Sequence, residues 1–235
     1  MDPLEHLAAA LLAVYGAASV VTALRLQAPG LRDDPVASAL ARVCLLGALP
    51  SALLLLVAQV SGGAMKLMSA GQGPLVSAIY LAIGAGSVTT LLFVRAAYYG
   101  GSRAMLALAC TVAGFFLLEA LVVPLVGMSV PAIGLALVHF PLQIGIYAGA
   151  SLSAFAFARH EARSAGRGSP SARRHRLLGW AFAFPVFWVI SSFLLIRQPQ
   201  WMDLGAGFAV LSQVCVWRAY GRGDAASLAS PVLTR

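Results

Sequence analysis

The sequence predicts an all-α polytopic membrane protein, a seven-transmembrane-helix bundle with its N-terminus outside and its C-terminus in the cytoplasm. Three observations predict it. The first is where the charges fall. Charge-free apolar stretches run from Leu7 to Leu24, Val43 to Met65, Leu67 to Val94, Leu177 to Ile196 and Leu204 to Trp217, and only Glu119 and His139 interrupt the run from Ala104 to Ala158. A helix needs roughly 20 apolar residues to cross a bilayer, because its backbone polar groups must be satisfied within the segment. The second is composition: 60% of the residues are hydrophobic and 10% are charged, where soluble domains carry about 25% charged. The third is charge asymmetry, taken up once the helices are placed.

Hydropathy and breaker residues place the helices at about 6–26, 38–61, 74–98, 104–127, 131–158, 177–197 and 201–219. Met1 to His6 carries Asp2 and Glu5 and no basic residue, unlike the positive start of a cleavable signal peptide, so the first helix is expected to be retained. Arg25, Arg32 and Arg42 surround the first connection, Arg95 and Arg103 the third. Arg159, Arg163, Arg167, Arg173, Arg174 and Arg176 fill the fifth, and Arg218, Arg222 and Arg235 follow the last helix. That puts 14 of the 16 basic residues on one side, with Lys66 and Arg197 on the other. The positive-inside rule makes the crowded side cytoplasmic and fixes the orientation, in what is expected to be a bacterial inner membrane. Residues 1–220 form one transmembrane domain, and the Gly-, Ala- and Ser-containing tail 221–235 is expected to be disordered. The Arg159–Arg176 connection reads as a solvated linker that sets topology and can meet anionic headgroups.

The net charge of +8 raises nucleic acid as a partner, but the basic residues lie at helix ends, so no nucleic acid is expected. Cys44, Cys110 and Cys215 stand singly in apolar helices and read as small core residues, with no disulfide framework. No HExxH, phosphate-binding Gly-rich loop or carboxylate cluster is present, and His139 is the one histidine well inside a span. No catalytic residue, metal or cofactor is therefore assigned, and the chain is not expected to be an enzyme.

Glu119 is the one acidic residue within a span, and an ionisable group in hydrocarbon is a functional candidate because it must be paired, neutralised or turned to a cavity. It falls in the outward half of helix 4, and His139 and Gln143 fall in the outward half of helix 5. At about 1.5 Å per residue, Glu119 and His139 reach comparable depth. They are expected to form either a proton-sensitive pair or a hydrogen bond that locks the two helices. Helix 6 concentrates Trp180, Phe182, Phe184, Pro185, Phe187 and Trp188, while helix 7 carries Ser212 and Gln213 near mid-membrane. Pro50, Pro124, Pro141 and Pro185 each remove a backbone donor inside a span and bend it. If a small or lipidic ligand binds, its site is expected between helices 3, 5, 6 and 7. Tyr80, Gln143, Tyr147, Trp188 and Gln213 would line it, and Glu119 and His139 would tune it from the outer side.

Phe184-Pro185-Val186-Phe187-Trp188 resembles the aromatic-Pro-x-x-Trp of the sixth helix of microbial rhodopsins. Asp34-Pro35 with Pro50 is similar to their second helix, and Thr89-Thr90 resembles the double Thr of their third. The chain departs from that family where retinal chemistry resides. Gln213 occupies the place of the retinal lysine, Lys66 is the only lysine, and Ala82 and Ala85 stand near the positions of the Schiff-base carboxylate and Arg. The resemblance implies a rhodopsin-like seven-helix sensor or ligand-binding protein without covalent retinal, and excludes a light-driven proton pump. Another pattern is an echo of Tyr15-Gly16-Ala17-Ala18-Ser19 in Tyr147-Ala148-Gly149-Ala150-Ser151, with Pro35 and Pro50 spaced like Pro170 and Pro185. It resembles the three-plus-one-plus-three plan of the seven-helix sugar-efflux transporters, which would imply a small-solute transporter. Small-residue faces such as Gly84-Ala85-Gly86-Ser87 also suit an accessory subunit of a larger membrane complex. The partners expected are membrane lipids, other membrane subunits or a second copy, and a small or lipidic ligand.

Overall fold

A computed structural model describes residues 3–61, 73–126, 130–166, 168–194 and 205–220. Lys66, Arg167, Arg197 and the tail 221–235 lie outside the described residues. Seven helical rods account for nearly all of what is described, with no strand among them: α1 Pro3–Leu26, α2 Pro35–Val60, α3 Gly73–Tyr98, α4 Arg103–Val126, α5 Val130–Ser164, α6 Pro170–Leu194 and α7 Ala206–Ala219. Five are long and apolar enough to cross a membrane: α1, α2, α3, residues Arg103–Leu125 of α4 and Leu137–Ser164 of α5. The chain therefore has the make-up of an integral membrane protein.

The rods form a closed ring. Each of α1–α2, α2–α3, α5–α6, α6–α7 and α7–α1 is packed along its length, and α3 against α5 completes the circuit. Helix α4 sits outside, laid along α3 and touching α5 only over a short stretch. Association of such helices gains little from the hydrophobic effect once lipid surrounds them, so close packing and interhelical hydrogen bonds must carry it. Both are visible. Gly47 lies so close to α3 that a Cβ there would meet the Gly86 Cα at 2.5 Å, which permits backbone-to-backbone contact between α2 and α3.

The interior prolines show how the hydrogen bonding is balanced. Pro124 and Pro185 cannot donate to the carbonyls four residues earlier, those of Ala120 and Ala181. A serine from a neighbouring helix replaces the missing donor in each case. Ser77 Oγ donates to the Ala120 carbonyl at 2.8 Å, and Ser212 Oγ donates to the Ala181 carbonyl at 2.6 Å. Each proline thus creates the acceptor that ties its helix to the next. Pro50 is handled differently. Ahead of it, residues Val43–Ala48 widen into a π-helical turn, and the Leu49 N–H reaches the Cys44 carbonyl five residues back. The chain thus widens its turn just upstream of the Pro50 ring.

The Arg159–Arg176 connection is largely exposed, as its composition predicts, but most of it is helix rather than linker. α5 runs on to Ser164 and α6 begins at Pro170, leaving a short turn between them. Gly166, at φ +91°, ends one helix. Ser169 starts the next by accepting the Ala172 N–H at 3.1 Å, with Pro170 at the first helical position. Arg174 and His175 are buried rather than solvated. At the other junction Asp34 caps α2, taking the Val36 N–H at 2.8 Å ahead of Pro35. The α1 C-terminus, the α2 N-terminus and the α3–α4 and α5–α6 junctions, with the end of α7, carry the described arginines. This is called the basic end below.

Candidate functional site

The residues singled out from the sequence gather in two places on one side of the bundle interior. The first is a carboxylate–imidazole pair in the half away from the basic end. His139 Nδ1 lies 2.7 Å from Glu119 Oε2. Glu119 is fully buried and His139 is 5% exposed. The expected depth match is realised because α4 and α5 approach each other at this point. Tyr80, Phe116 and Phe140 surround the imidazole, their ring centroids 5.6, 5.3 and 5.3 Å away in edge-on geometry. Tyr80, half-buried on α3, is also within electrostatic range of the Glu119 carboxylate. The second carboxylate oxygen, Oε1, is buried and meets no hydrogen-bond partner among the described residues.

The second place is the centre of the ring, where five helices each contribute a polar group. Cys44 of α2 lies with its Sγ 3.7 Å from Gln213 Oε1 of α7. Tyr15 of α1 is in electrostatic contact with both Tyr147 of α5 and Cys44. Ser87 of α3 lies beside the Tyr147 hydroxyl, close enough to interact, yet its fully buried Oγ has no partner in good hydrogen-bond geometry. Trp188 of α6 walls the cluster, edge-on to Tyr15 at 5.9 Å. Its indole and the Ser191 hydroxyl occupy the space that a side chain at residue 205 would need, so glycine is required there. The π-helical turn of α2 contains Cys44 and so delivers its thiol to this cluster; such turns recur at functional sites.

A single face of α5 joins the two places. His139, Gln143, Tyr147 and Ser151 recur every four residues and so stack on one side of the helix. Gln143 is buried between the pair and the centre. At the lower end of the stripe Ser151 donates to the Gly179 carbonyl at 2.9 Å. Below that level the interior turns apolar: Phe93, Val94, Ala150, Ala154, Leu178, Ala181, Phe182 and Val216 pack into one cluster.

All seven sequence-derived site residues are thus interior, Tyr80, Tyr147 and Trp188 half-buried and the other four buried. Tyr80, Glu119 and His139 stand together, Tyr147, Trp188 and Gln213 stand together, and Gln143 lies between the groups. The sequence reading passed over Tyr15, Cys44 and Ser87. Tyr15 had a signal, since it is the residue that the helix 1 echo matches to Tyr147, and the two lie within electrostatic range of each other. Cys44 had none, because a thiol in an apolar run looks like any small core residue. Among the described residues no group of three or more His, Cys, Asp and Glu side chains could hold a metal ion.

Beyond the apolar cluster, a second buried histidine closes the basic end. Tyr98 Oη and His175 Nδ1 are 3.1 Å apart, and the Phe157 ring lies 4.5 Å from the imidazole. Burial, and then the neighbouring Arg174 guanidinium, lower the His175 pKa from 6.5 to about 4. Arg174 stacks over the Tyr220 ring at 5.5 Å, and Arg25 Nε donates to the Tyr220 carbonyl at 3.2 Å while its guanidinium covers Trp217. Comparison of the chain with family models, with curated proteins and with solved structures finds no match.

Proposed function

We propose that this integral membrane protein crosses the bilayer seven times, with its basic end in the cytoplasm of a bacterial cell. In this reading it works as a non-enzymatic sensor or ligand-binding protein of rhodopsin-like plan, without covalent retinal. The topology rests on the clustering of arginines at one end and on seven helices joined in a ring. The observation that carries the function is the central cluster: polar groups from five helices gather beside Trp188, and the buried Ser87 hydroxyl, next to Tyr147, has no partner in good hydrogen-bond geometry among the described residues. A buried polar group without a partner costs about 1–3 kcal/mol, and a ligand that supplies the missing partner recovers it. An aromatic wall with a few fixed polar groups is the usual make-up of a small-molecule site. The ligand class that fits is a small or lipidic molecule with one hydrogen-bonding group. No lysine lies in a described helix to bind retinal covalently.

The transporter reading draws on one further observation, that the echoed residues Tyr15 and Tyr147 lie within electrostatic range of each other. The ring favours the sensor reading, because α1 packs mainly on α2 and α7 rather than forming a separate three-helix unit with α2 and α3.

The test is ligand extraction from protein purified in mild detergent, read together with its mass, absorption spectrum and co-purifying proteins. A bound molecule lost in Trp188→Ala and in Gln213→Leu, with the fold intact, supports the site. Unchanged binding in both variants, or a stable stoichiometric partner with no ligand, overturns it. A cysteine at Gly168, in a background lacking Cys44, Cys110 and Cys215, should resist impermeant thiol reagents in intact cells; ready labelling would reverse the orientation. Addition of retinal followed by borohydride reduction should leave no covalent adduct.

A further inference from the structure

We propose that Glu119 Oε1 is a proton-binding site, and that the Glu119–His139 pair takes up and releases one proton. One oxygen of the carboxylate is left over. Oε2 is taken by His139 Nδ1 at 2.7 Å, while Oε1 is buried with no hydrogen-bond partner among the described residues. An ionised carboxylate deprived of a second donor in a desolvated setting is costly, and the usual remedies are a bound cation, a donor group or a proton.

The surroundings decide among these. A calcium-type ion asks for six to eight oxygen ligands. Among the described residues Oε1 has no hydrogen-bond partner, and no group of three or more His, Cys, Asp and Glu side chains is there to share a metal ion. An ammonium group brings three N–H donors, and one free acceptor leaves two of them buried without partners. A proton needs one acceptor and no room. Binding it turns the carboxylate into a neutral carboxylic acid, with the proton drawn from solvent and returned there.

The titratable groups facing the site are few. From α3 there is Tyr80, from α5 there is His139, and α4 between Met105 and Leu125 holds, besides Glu119, only Cys110, which is exposed and nearer the basic end. No other charged residue lies on α3 between Gly73 and Val94 or on α5 between Gly134 and Ala158. The pair is therefore a two-group acid–base system whose protons are shared. Its position gives the proton a consequence. The pair is a direct polar link between α4 and α5, which touch only over a short stretch, and the α5 stripe leads from it through Gln143 to Tyr147 in the central cluster. Tyr147 is two helical turns from His139, about 12 Å along the axis. Proton occupancy thus acts on the contact that holds α4 and, through α5, on the polar groups of the centre. The second of these effects rests on the ligand reading above; the proton site itself does not.

Infrared difference spectroscopy of the wild-type protein in lipid, titrated between acidic and alkaline pH, tests the site without a mutation. Acidification should raise one carbonyl band of a poorly hydrogen-bonded carboxylic acid. The band should shift when glutamate is carbon-13 labelled and be missing in Glu119→Gln. The other two glutamates, Glu5 and Glu161, are only partly buried, and their hydrated carboxyls absorb at lower frequency. In His139→Gln, which keeps a donor but cannot take up the shared proton, the midpoint should move. Absence of any buried-carboxyl titration in the wild type overturns the proposal and leaves a fixed structural latch. A midpoint that does not move in His139→Gln overturns the shared proton. The Cys44 S–H stretch, read in a variant without Cys110 and Cys215, reports on the centre. Its shift across the same midpoint should vanish in Tyr147→Phe while the carboxyl band still titrates. If ligand binding fails its own test, the carboxyl band remains as expected. If the band is absent, ligand binding can persist but without pH dependence.

Discussion

The bundle holds one buried histidine toward each end, and the two are built on opposite electrostatic terms. His139 faces a carboxylate, Glu119, inside a cage of aromatic rings. His175 faces a phenol, Tyr98, beside the guanidinium of Arg174. A carboxylate favours the imidazolium or shares its proton, whereas an arginine repels it, and burial penalises any charge at both places. The first arrangement joins two helices through a carboxylate–imidazole contact, and the second holds an imidazole neutral as a packing element with one hydrogen bond. The same side chain therefore has different work in the two halves of the protein, decided by its neighbours. The halves are alike in another respect, since a proline–serine tie serves each: Pro124 with Ser77, and Pro185 with Ser212.

The largest break in this comparison should come from Glu119→Leu. It strands His139 in a dry site and removes a link between α4 and α5, and loss of one partner of a buried pair costs about 3–5 kcal/mol. Thermal unfolding in lipid nanodiscs should show it, with Glu119→Gln milder; a Leu variant as stable as the wild type would mean that the pair holds nothing together. The next effect is acid sensitivity at the opposite half. The unfolded chain takes up a proton on His175 near pH 6.5 and the folded chain only near pH 4. Between those values the unfolded state binds more protons, so stability falls as pH is lowered through this window and is retained above it. The loss should approach roughly 3 kcal/mol. Chemical denaturation at pH 7 and pH 4.5 should reveal it, with the difference reduced in His175→Gln.

Smaller effects sharpen the likeness between the halves. Ser77→Ala and Ser212→Ala should each cost about 1–3 kcal/mol, because each leaves a buried carbonyl without a donor. Combined with Pro124→Ala or Pro185→Ala respectively, the serine should become nearly dispensable, since the restored N–H takes the carbonyl back. A double-mutant cycle in thermal stability measures this coupling, and strictly additive losses would refute the tie. The smallest effect is expected from Tyr98→Phe, about 0.5–1.5 kcal/mol, together with a shifted acid transition of His175.

The sequence made much of the helical plan legible. Helix placement followed from charge-free runs, and the structured starts at Asp34-Pro35 and Ser169-Pro170 carry capping residues visible in the letters. It erred in the Arg159–Arg176 stretch, where arginine and serine read as a linker. Helix propensity and the burial of His175 against Phe157 and Tyr98 outweighed that polarity. The Glu119–His139 contact was legible because two rare residues at equal depth have few alternatives. The central cluster was only half legible: Gln213, Tyr147 and Trp188 stand out, while Tyr15, Cys44 and Ser87 resemble ordinary residues of small-residue helices.

By itself the sequence determined that this chain belongs in a membrane, since no arrangement in water could hide runs of such length. It also determined which residues would be costly to bury alone. Only the tertiary structure decided which partner each would find. One oxygen of Glu119 is satisfied and the other is not, and the carbonyls released by Pro124 and Pro185 meet serines rather than lipid. The physical reason is range: hydropathy acts on a segment whatever lies beside it, whereas a hydrogen bond depends on an ångström and an angle set by how whole helices pack.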